Sequence, residues 1–194
     1  MIPALLLAAG ASQRFGAPKL LQLLNGRPVV RWSAESLVGV ADVLVVVAPP
    51  DNEALRQALD GLDVRFVVNA RAADGMATSL ACGVASLADD VDAVLVALGD
   101  EPLLPRRCHE RVVARFRKGG AAIVAATYGG GRGHPVLFDR SVFAELRRLE
   151  GDHGARAVVD ADPSRVVLEE MDEPRPIDVD TPDDLARVQR GEHL

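Results

Sequence analysis

The chain has 194 residues, 48% of them hydrophobic and 26% charged, with a formal net charge of −6 at pH 7. That composition excludes a disordered polymer, leaves room for a full core and predicts one domain over residues 1–194. The acidic balance argues against nucleic-acid binding, which needs a basic face, and no apolar run reaches the ~20 residues of a membrane-spanning helix. Aromatic residues are only 4%, so the core has to be Leu, Val and Ala. Cys82 and Cys108 form no C-x-x-C and the histidines show no zinc spacing, so reduced, structural thiols are expected. The N-terminus lacks the basic region of a secretory signal. The expected location is the cytoplasm.

In chain order, the apolar run that starts at Leu5 reads as a strand buried on both faces. It breaks into small residues, Ala8 to Ser12, followed by Arg14 and Lys19 with Gly16 and Pro18 between them. Backbone N–H groups are accessible there and two cations stand close, an arrangement suited to a polyphosphate. Lys19 and Lys118 are the only lysines against twenty arginines; a compact point charge suits a phosphate. The loop fits neither G-x-x-x-x-G-K-[ST] nor G-x-G-x-x-G, and from composition alone a plain turn with solvated charges remains open. Pro28 to Val38 reads as a helix with Trp32 as packing anchor, Asp42 to Ala48 as a strand, Asp51 to Leu59 as a helix and Val64 to Val68 as a strand. Asn69 to Gly75 is a loop, Met76 to Leu87 a helix, Val91 to Leu98 a strand, and Pro105 to Lys118 a helix. The alternation predicts βαβ units and a mostly parallel sheet, with the loops at Ala9, Asn69 to Gly75 and Asp100 meeting in one crevice at the strands' carboxyl ends.

Beyond Gly119 the pattern changes. Ala121 to Thr127 is a strand, the cluster from Tyr128 to Gly133 a glycine-rich connection, and Pro135 to Phe138 a short apolar piece. Ser141 to Leu149 and Gly154 to Asp160 read as helices, Arg165 to Glu170 and Ile177 to Val179 as edge strands. Thr181-Pro182-Asp183-Asp184 is a strong helix start. Asp100 follows its strand through Gly99 and is either a turn residue or a ligand for a phosphate-bridging metal. Asp180 is either a helix cap or a second ligand. Met76 and Leu80 fit a core stripe, and Ser79 is either a phosphate donor or a buried hydroxyl.

The string from Leu7 to Lys19, L-A-A-G-x-S-x-R-F-G-x-x-K, resembles the signature loop of the nucleotidyltransferases that activate molybdenum cofactor, the molybdopterin cytidylyl- and guanylyltransferases. The likeness extends over nearly the whole chain: Asn69 with Gly75, Met76 and Ser79; Gly99-Asp100-Glu101-Pro102; Gly133-His134-Pro135; Gly151-Asp152-His153-Gly154-Ala155-Arg156; and Asp178 to Leu185. It implies a Rossmann-like three-layer α/β sandwich of the nucleotidyltransferase, GT-A-like type, mostly parallel with some antiparallel pairing. It implies nucleotide binding by Leu7, Ala8, Ala9, Gly10, Arg14, Lys19, Asn69, Gly75 and Ser79. Catalytic roles fall to Arg14, Lys19 and Asp100, Mg²⁺ holding to Asp100 and Asp180, and the pterin side to Gly133, His134, Asp152 and Arg156. Ala9 stands where guanylyl enzymes carry Gly, which points to CTP. The implied reaction moves CMP from CTP to molybdopterin or molybdenum cofactor, with a molybdenum hydroxylase as candidate recipient. Alternatives are transfer from GTP or ATP, a sugar-phosphate acceptor, or a non-catalytic cofactor chaperone. Glu101 departs from the Gln usual in cytidylyl enzymes.

Overall fold

The computed structural model describes residues 1–10, 12, 14–151 and 154–193. Its first strand, β1 (Ala4–Leu7), explains the opening apolar run. Ala4 and Leu6 pack into the apolar cluster on one face of the sheet, and Leu5 and Leu7 into the cluster on the other. A strand covered on both faces has no solvent side, so no polar alternation is written into it. A loop and the 3₁₀ turn Lys19–Leu21 lead to a small hairpin of β2 (Leu23–Leu24) and β3 (Arg27–Pro28). The sequence reading passed over this hairpin. Asn25 and Gly26, with φ of 51° and 78°, form its turn, and Asn-Gly is a recognised signal for that geometry.

Regular alternation follows: α1 (Val29–Leu37), β4 (Leu44–Ala48), α2 (Glu53–Ala58), β5 (Val64–Val68), α3 (Met76–Ala85), β6 (Ala93–Leu98) and α4 (Arg106–Arg117). The second part holds β7 (Ile123–Tyr128), β8 (Gly131–Asp139), α5 (Phe143–Leu146), α6 (Arg156–Ala161), β9 (Val166–Glu170) and α7 (Pro182–Gln189). Seven strands make one sheet in the order β5-β4-β1-β6-β8-β7-β9. β1 pairs in parallel with both β4 and β6, β4 with β5, and β7 with β9, whereas β8 runs antiparallel to β6 and β7. Apolar side chains of α1, α2, α4 and α7 cover one face and those of α3, α5 and α6 the other. This is the expected three-layer, mostly parallel α/β arrangement with an antiparallel strand.

The strand order reverses beside β1: β4 and β5 lie on one side of it, and β6 on the other. Ligands of open α/β sheets bind at the carboxyl ends of strands flanking such a reversal. The two loops that carry Lys19 and Asp100 leave those ends. Gly99 lets them close: a Cβ there would come within 3.2 Å of the Leu7 carbonyl oxygen, to which the Gly99 N–H donates at 3.0 Å. Because β8 is reversed, its beginning lies beside the carboxyl end of β6, with Val136 opposite Val96 and Asp139 opposite Ala93.

Several expected boundaries move. β8 starts at Gly131 rather than Pro135, because Gly129 and Gly130, with φ of 57° and 85°, make a tight turn directly after β7 and leave no loop. Ile177 to Val179 is not a strand, although Ile177 and Val179 are buried. Pro174 and Pro176 remove the donors a ladder would need just before it; the Val179 N–H donates to the Asp100 carbonyl instead, at 2.9 Å. The helix expected over Ser141 to Leu149 shrinks to a 3₁₀ turn, Arg140–Val142, and the short α5.

Gly83 marks the tightest helix–sheet contact. A Cβ on it would lie 2.9 Å from both Leu5 Cδ1 and Val47 Cγ2, side chains fully buried at the centre of the sheet. Gly83→Val should destabilise the fold by about 2 kcal/mol or more, overpacking outweighing the gain in helix propensity. For a chain of this size that lowers the melting temperature by about 5 °C, read by thermal denaturation.

Candidate active site

The chain folds four charged side chains onto one point at the carboxyl ends of β1 and β6. Lys19 Nζ donates to Asp100 Oδ2 at 2.6 Å and to Asp180 Oδ1 at 2.7 Å. Arg14 closes the other side of Asp180, with Nη1 at 2.9 Å from Oδ2. Each position has a local cause. Ser12, at φ 50°, folds the loop after β1 on itself: its carbonyl accepts from the N–H groups of Phe15 and Gly16, and its Oγ accepts from the Lys19 N–H at 3.2 Å. The loop therefore returns, and Lys19 points back across the strand ends. Asp100 is held where β6 stops at Gly99, whose carbonyl accepts from Ser33 Oγ of α1 at 3.0 Å. Asp180 precedes α7, but the cap of that helix is Thr181, in a reciprocal capping box with Asp184. The capping alternative for Asp180 thus falls away, and its carboxylate is free to face Lys19.

Lys19 is buried. Burial alone pulls its ammonium down, but Asp100 and Asp180 reverse this and hold it above the ordinary lysine range. A group raised in this way keeps its charge through neutral pH and loses it as pH climbs past the elevated value, while burial holds the Asp100 carboxyl above its usual range, so the contact also weakens as pH falls.

These groups open onto a cavity of about 640 Å³ lined also by Leu7, Ala9, Gly10, Gly75, Met76 and Ser79. The loops expected to form one crevice do meet there. Gly75, at φ 110°, turns the chain into α3 in a conformation that favours glycine. Ala8 and Asn69, two of the expected nucleotide contacts, do not line this cavity. Ala8 lines an adjoining one that shares Gly10, Ser12 and Leu20 with it. Asn69 is buried beneath the cavity, its Nδ2 donating to Thr78 Oγ1 at 2.9 Å and Ser79 Oγ at 3.0 Å and its Oδ1 accepting from the Arg71 N–H at 2.9 Å. Its visible work is to clip the loop to α3 and aim Ser79. Met76, which periodicity put in the core, is 44% exposed, because it opens α3 at the cavity mouth. Leu80, one turn on, is core as expected.

A second cavity of about 510 Å³ adjoins the first, with Leu7 and Met76 lining both. Its floor is apolar, from Leu80, Val96 and Phe138, and Gly133, His134 and Arg156 line it too. Three of the four residues expected on the acceptor side are therefore together; Asp152 lies outside the described residues. His134 is not on an exposed loop but half-buried in β8, with Nδ1 3.7 Å from Glu101 Oε1. The carbonyl of His134 accepts from the Tyr128 hydroxyl at 2.6 Å. Burial works against the imidazolium, yet Glu101 holds it above the usual histidine range. Burial likewise opposes the Glu101 charge, and His134 with Asp178 holds that carboxyl below its usual range. His109 is buried, pulled down to about 4 by that burial, and rests against Ser36 Oγ at 3.0 Å; it is structural.

Asp178 is the residue the sequence reading left without a role. It lines the first cavity beside Asp180, and burial, with Glu101 and Asp100 nearby, pushes its carboxyl up to about 7. The signal was present: two residues apart in an extended segment, Asp178 and Asp180 share one side of the chain.

The donor set also suits a hard divalent cation. Asp100 and Asp180 oxygens converge on one point, and Asp100 Oδ1 is buried without a partner among the described residues. No group of three or more His, Cys, Asp or Glu that could hold a metal gathers among those residues. Two carboxylates with open positions match Mg²⁺, which takes its remaining ligands from phosphates and water.

Residues 4–166 match the MobA-like NTP transferase domain. The chain belongs to the MobA-like NTP transferase family. This agrees with the resemblance carried by Leu7 to Lys19. Across 195 residues, 95% of this chain and 97% of the relative, it is 28% identical to a probable molybdenum cofactor guanylyltransferase of Thermococcus gammatolerans. Its structure is similar to Rv0371c of Mycobacterium tuberculosis H37Rv, with TM-score 0.87, 30% identity and 97% of each chain covered. A complex of that protein with manganese superposes with TM-score 0.81 at the same identity and coverage. The MobA-like match spans β1 to the start of β9, so it includes the second cavity and all of the first except Asp178 and Asp180. No described helix of this NTP transferase is long and apolar enough to cross a membrane.

Proposed function

We propose that this chain transfers CMP from CTP to the terminal phosphate of molybdopterin or molybdenum cofactor and releases pyrophosphate. The observation that carries the reading is the convergence of Arg14, Lys19, Asp100 and Asp180 at the strand-order reversal. The triphosphate occupies the larger cavity, and the acceptor enters from the smaller one, beside Gly133, His134 and Arg156; Asp152 belongs to the same expected group. The acceptor phosphate oxygen attacks the α-phosphorus, a new P–O bond forms, and the bond from the α-phosphorus to the bridging oxygen breaks with pyrophosphate leaving in line. A phosphate nucleophile is already ionised at neutral pH, so no general base is required. Catalysis is then positioning and charge neutralisation. Arg14 and the N–H groups of the Gly10 loop hold the outgoing phosphates, and Lys19 meets the charge that develops at the α-phosphate. Mg²⁺, held by Asp100 and Asp180, supplies Lewis-acid neutralisation when bound. Gly75 and Ser79 border the nucleoside, with Asn69 supporting Ser79.

Ala9 on the cavity wall favours the cytidylyl reading over the guanylyl one. The guanylyltransferase relative keeps transfer of GMP as a second reading of the same site. The deciding experiment offers CTP, GTP, ATP and UTP with Mg²⁺ and a molybdopterin acceptor and measures pyrophosphate. CTP is expected to be turned over in preference to the others. A clear GTP preference overturns the base assignment and leaves the transferase; no pyrophosphate with any of them overturns the reaction and returns the chaperone reading. The proposed setting is the cytoplasm, with a molybdenum hydroxylase receiving the product.

A further inference from the structure

The ammonium of Lys19 stands at the point where the two carboxylates converge, 2.6 Å from one and 2.7 Å from the other. Its side chain is 10% exposed, so little water reaches that point. A divalent cation held by Asp100 and Asp180 would have to compete with the ammonium for those two oxygens. We propose that Lys19 is a tethered counter-ion that fills the divalent-cation site of the nucleotide-free enzyme, so that the metal enters with the triphosphate and not before it. This rests on the reading of Asp100 and Asp180 as the pair that holds the metal.

Charge accounts for the order. Two carboxylates touch two cations, since Arg14 also lies on Asp180, so both are already paired, with Asp178 lining the same cavity beside them. A bare divalent ion has to compete with cations already seated on those carboxylates and offers Lys19 and Arg14 no new partner. Both would remain within a few ångströms of it, where repulsion in a partly buried site is strong. A magnesium–triphosphate carries net negative charge. Its oxygens give the two cations somewhere to go as the metal takes their carboxylates. The tether permits that exchange. The Lys19 backbone is fixed by Ser12 Oγ at 3.2 Å, while a four-carbon stem lets the ammonium swing. The Arg14 side chain is 77% exposed and has room to move. One lysine thus serves as a placeholder before binding and as a phosphate ligand afterwards.

The test is Mn²⁺ titration of the whole chain by electron paramagnetic resonance, with and without CTP, or GTP should that prove the donor. Lys19→Met keeps the stem length and removes the charge. It should bind Mn²⁺ alone about ten-fold more tightly than the unsubstituted chain or better, and Asp100→Asn added to it should abolish the gain. In the unsubstituted chain nucleotide should tighten Mn²⁺ retention, and in Lys19→Met that coupling should shrink. Lys19→Gln serves in the same role if Lys19→Met does not fold, as read by circular dichroism. Equal Mn²⁺ affinity with and without the Lys19 charge overturns the placeholder while metal-dependent nucleotide binding leaves the transferase reading intact. Failure to retain Mn²⁺ even with nucleotide overturns both.

Discussion

Asp100→Asn should lower turnover by about 10³-fold and leave a folded chain. Asn keeps the shape of the side chain and removes only its charge. Lys19 retains Asp180 as partner at 2.7 Å, and the Gly99 carbonyl stays tied to Ser33, so the end of β6 has its other fastenings. The loss should fall on kcat more than on KM for the triphosphate, because the carboxylate acts through charge that develops during transfer. Steady-state pyrophosphate release with a thermal melt checks both parts. Turnover within a few-fold of the unsubstituted chain, in a folded variant, would remove Asp100 from the chemistry.

Lys19→Ala should cost turnover about 10²- to 10³-fold, and Lys19→Arg should not restore it. The ammonium sits between two carboxylates with 10% of its side chain exposed. A planar guanidinium is larger, and it does not fit the nearly closed point that the compact ammonium occupies between the two carboxylates. On the proposed reading the two variants separate in metal binding: Asp100→Asn loses a ligand, whereas a neutral residue at 19 uncovers both carboxylates. Parallel losses in turnover with opposite metal affinities would support one position shared in turn by the ammonium and the metal.

The larger cavity was legible because its signals are local. An apolar run ending in small residues, two cations a few residues on and an aspartate after another apolar run are each visible within a short window, and a parallel sheet gathers such loops at one edge. The smaller cavity was less so. That Glu101 lies under His134 depends on β8 being reversed, and the reversal depends on the tight turn at Gly129 and Gly130. A cluster of glycines reads equally well as a loose connection. Asn69 shows the same difficulty in another form. The resemblance implied a nucleotide contact for it, and only the approach of Thr78 and Ser79 shows that it also clips the loop to α3. Met76 misled because helical periodicity marks a face and not a depth: the first turn of α3 projects past the sheet into the cavity mouth. Ile177 to Val179 misled because burial and strand pairing usually coincide, and here two prolines separate them.

The reversed β8 also divides the protein along its length. Everything that lines the larger cavity comes from residues before Pro102 or from Asp178 and Asp180, while the wall of the smaller cavity is built mainly by one contiguous stretch, β7 through α6. On the proposed function, donor choice and acceptor choice are therefore written in separate passages of the chain. Such a layout would let one scaffold acquire a new recipient by exchanging a single segment, with the phosphate-handling apparatus left as it was.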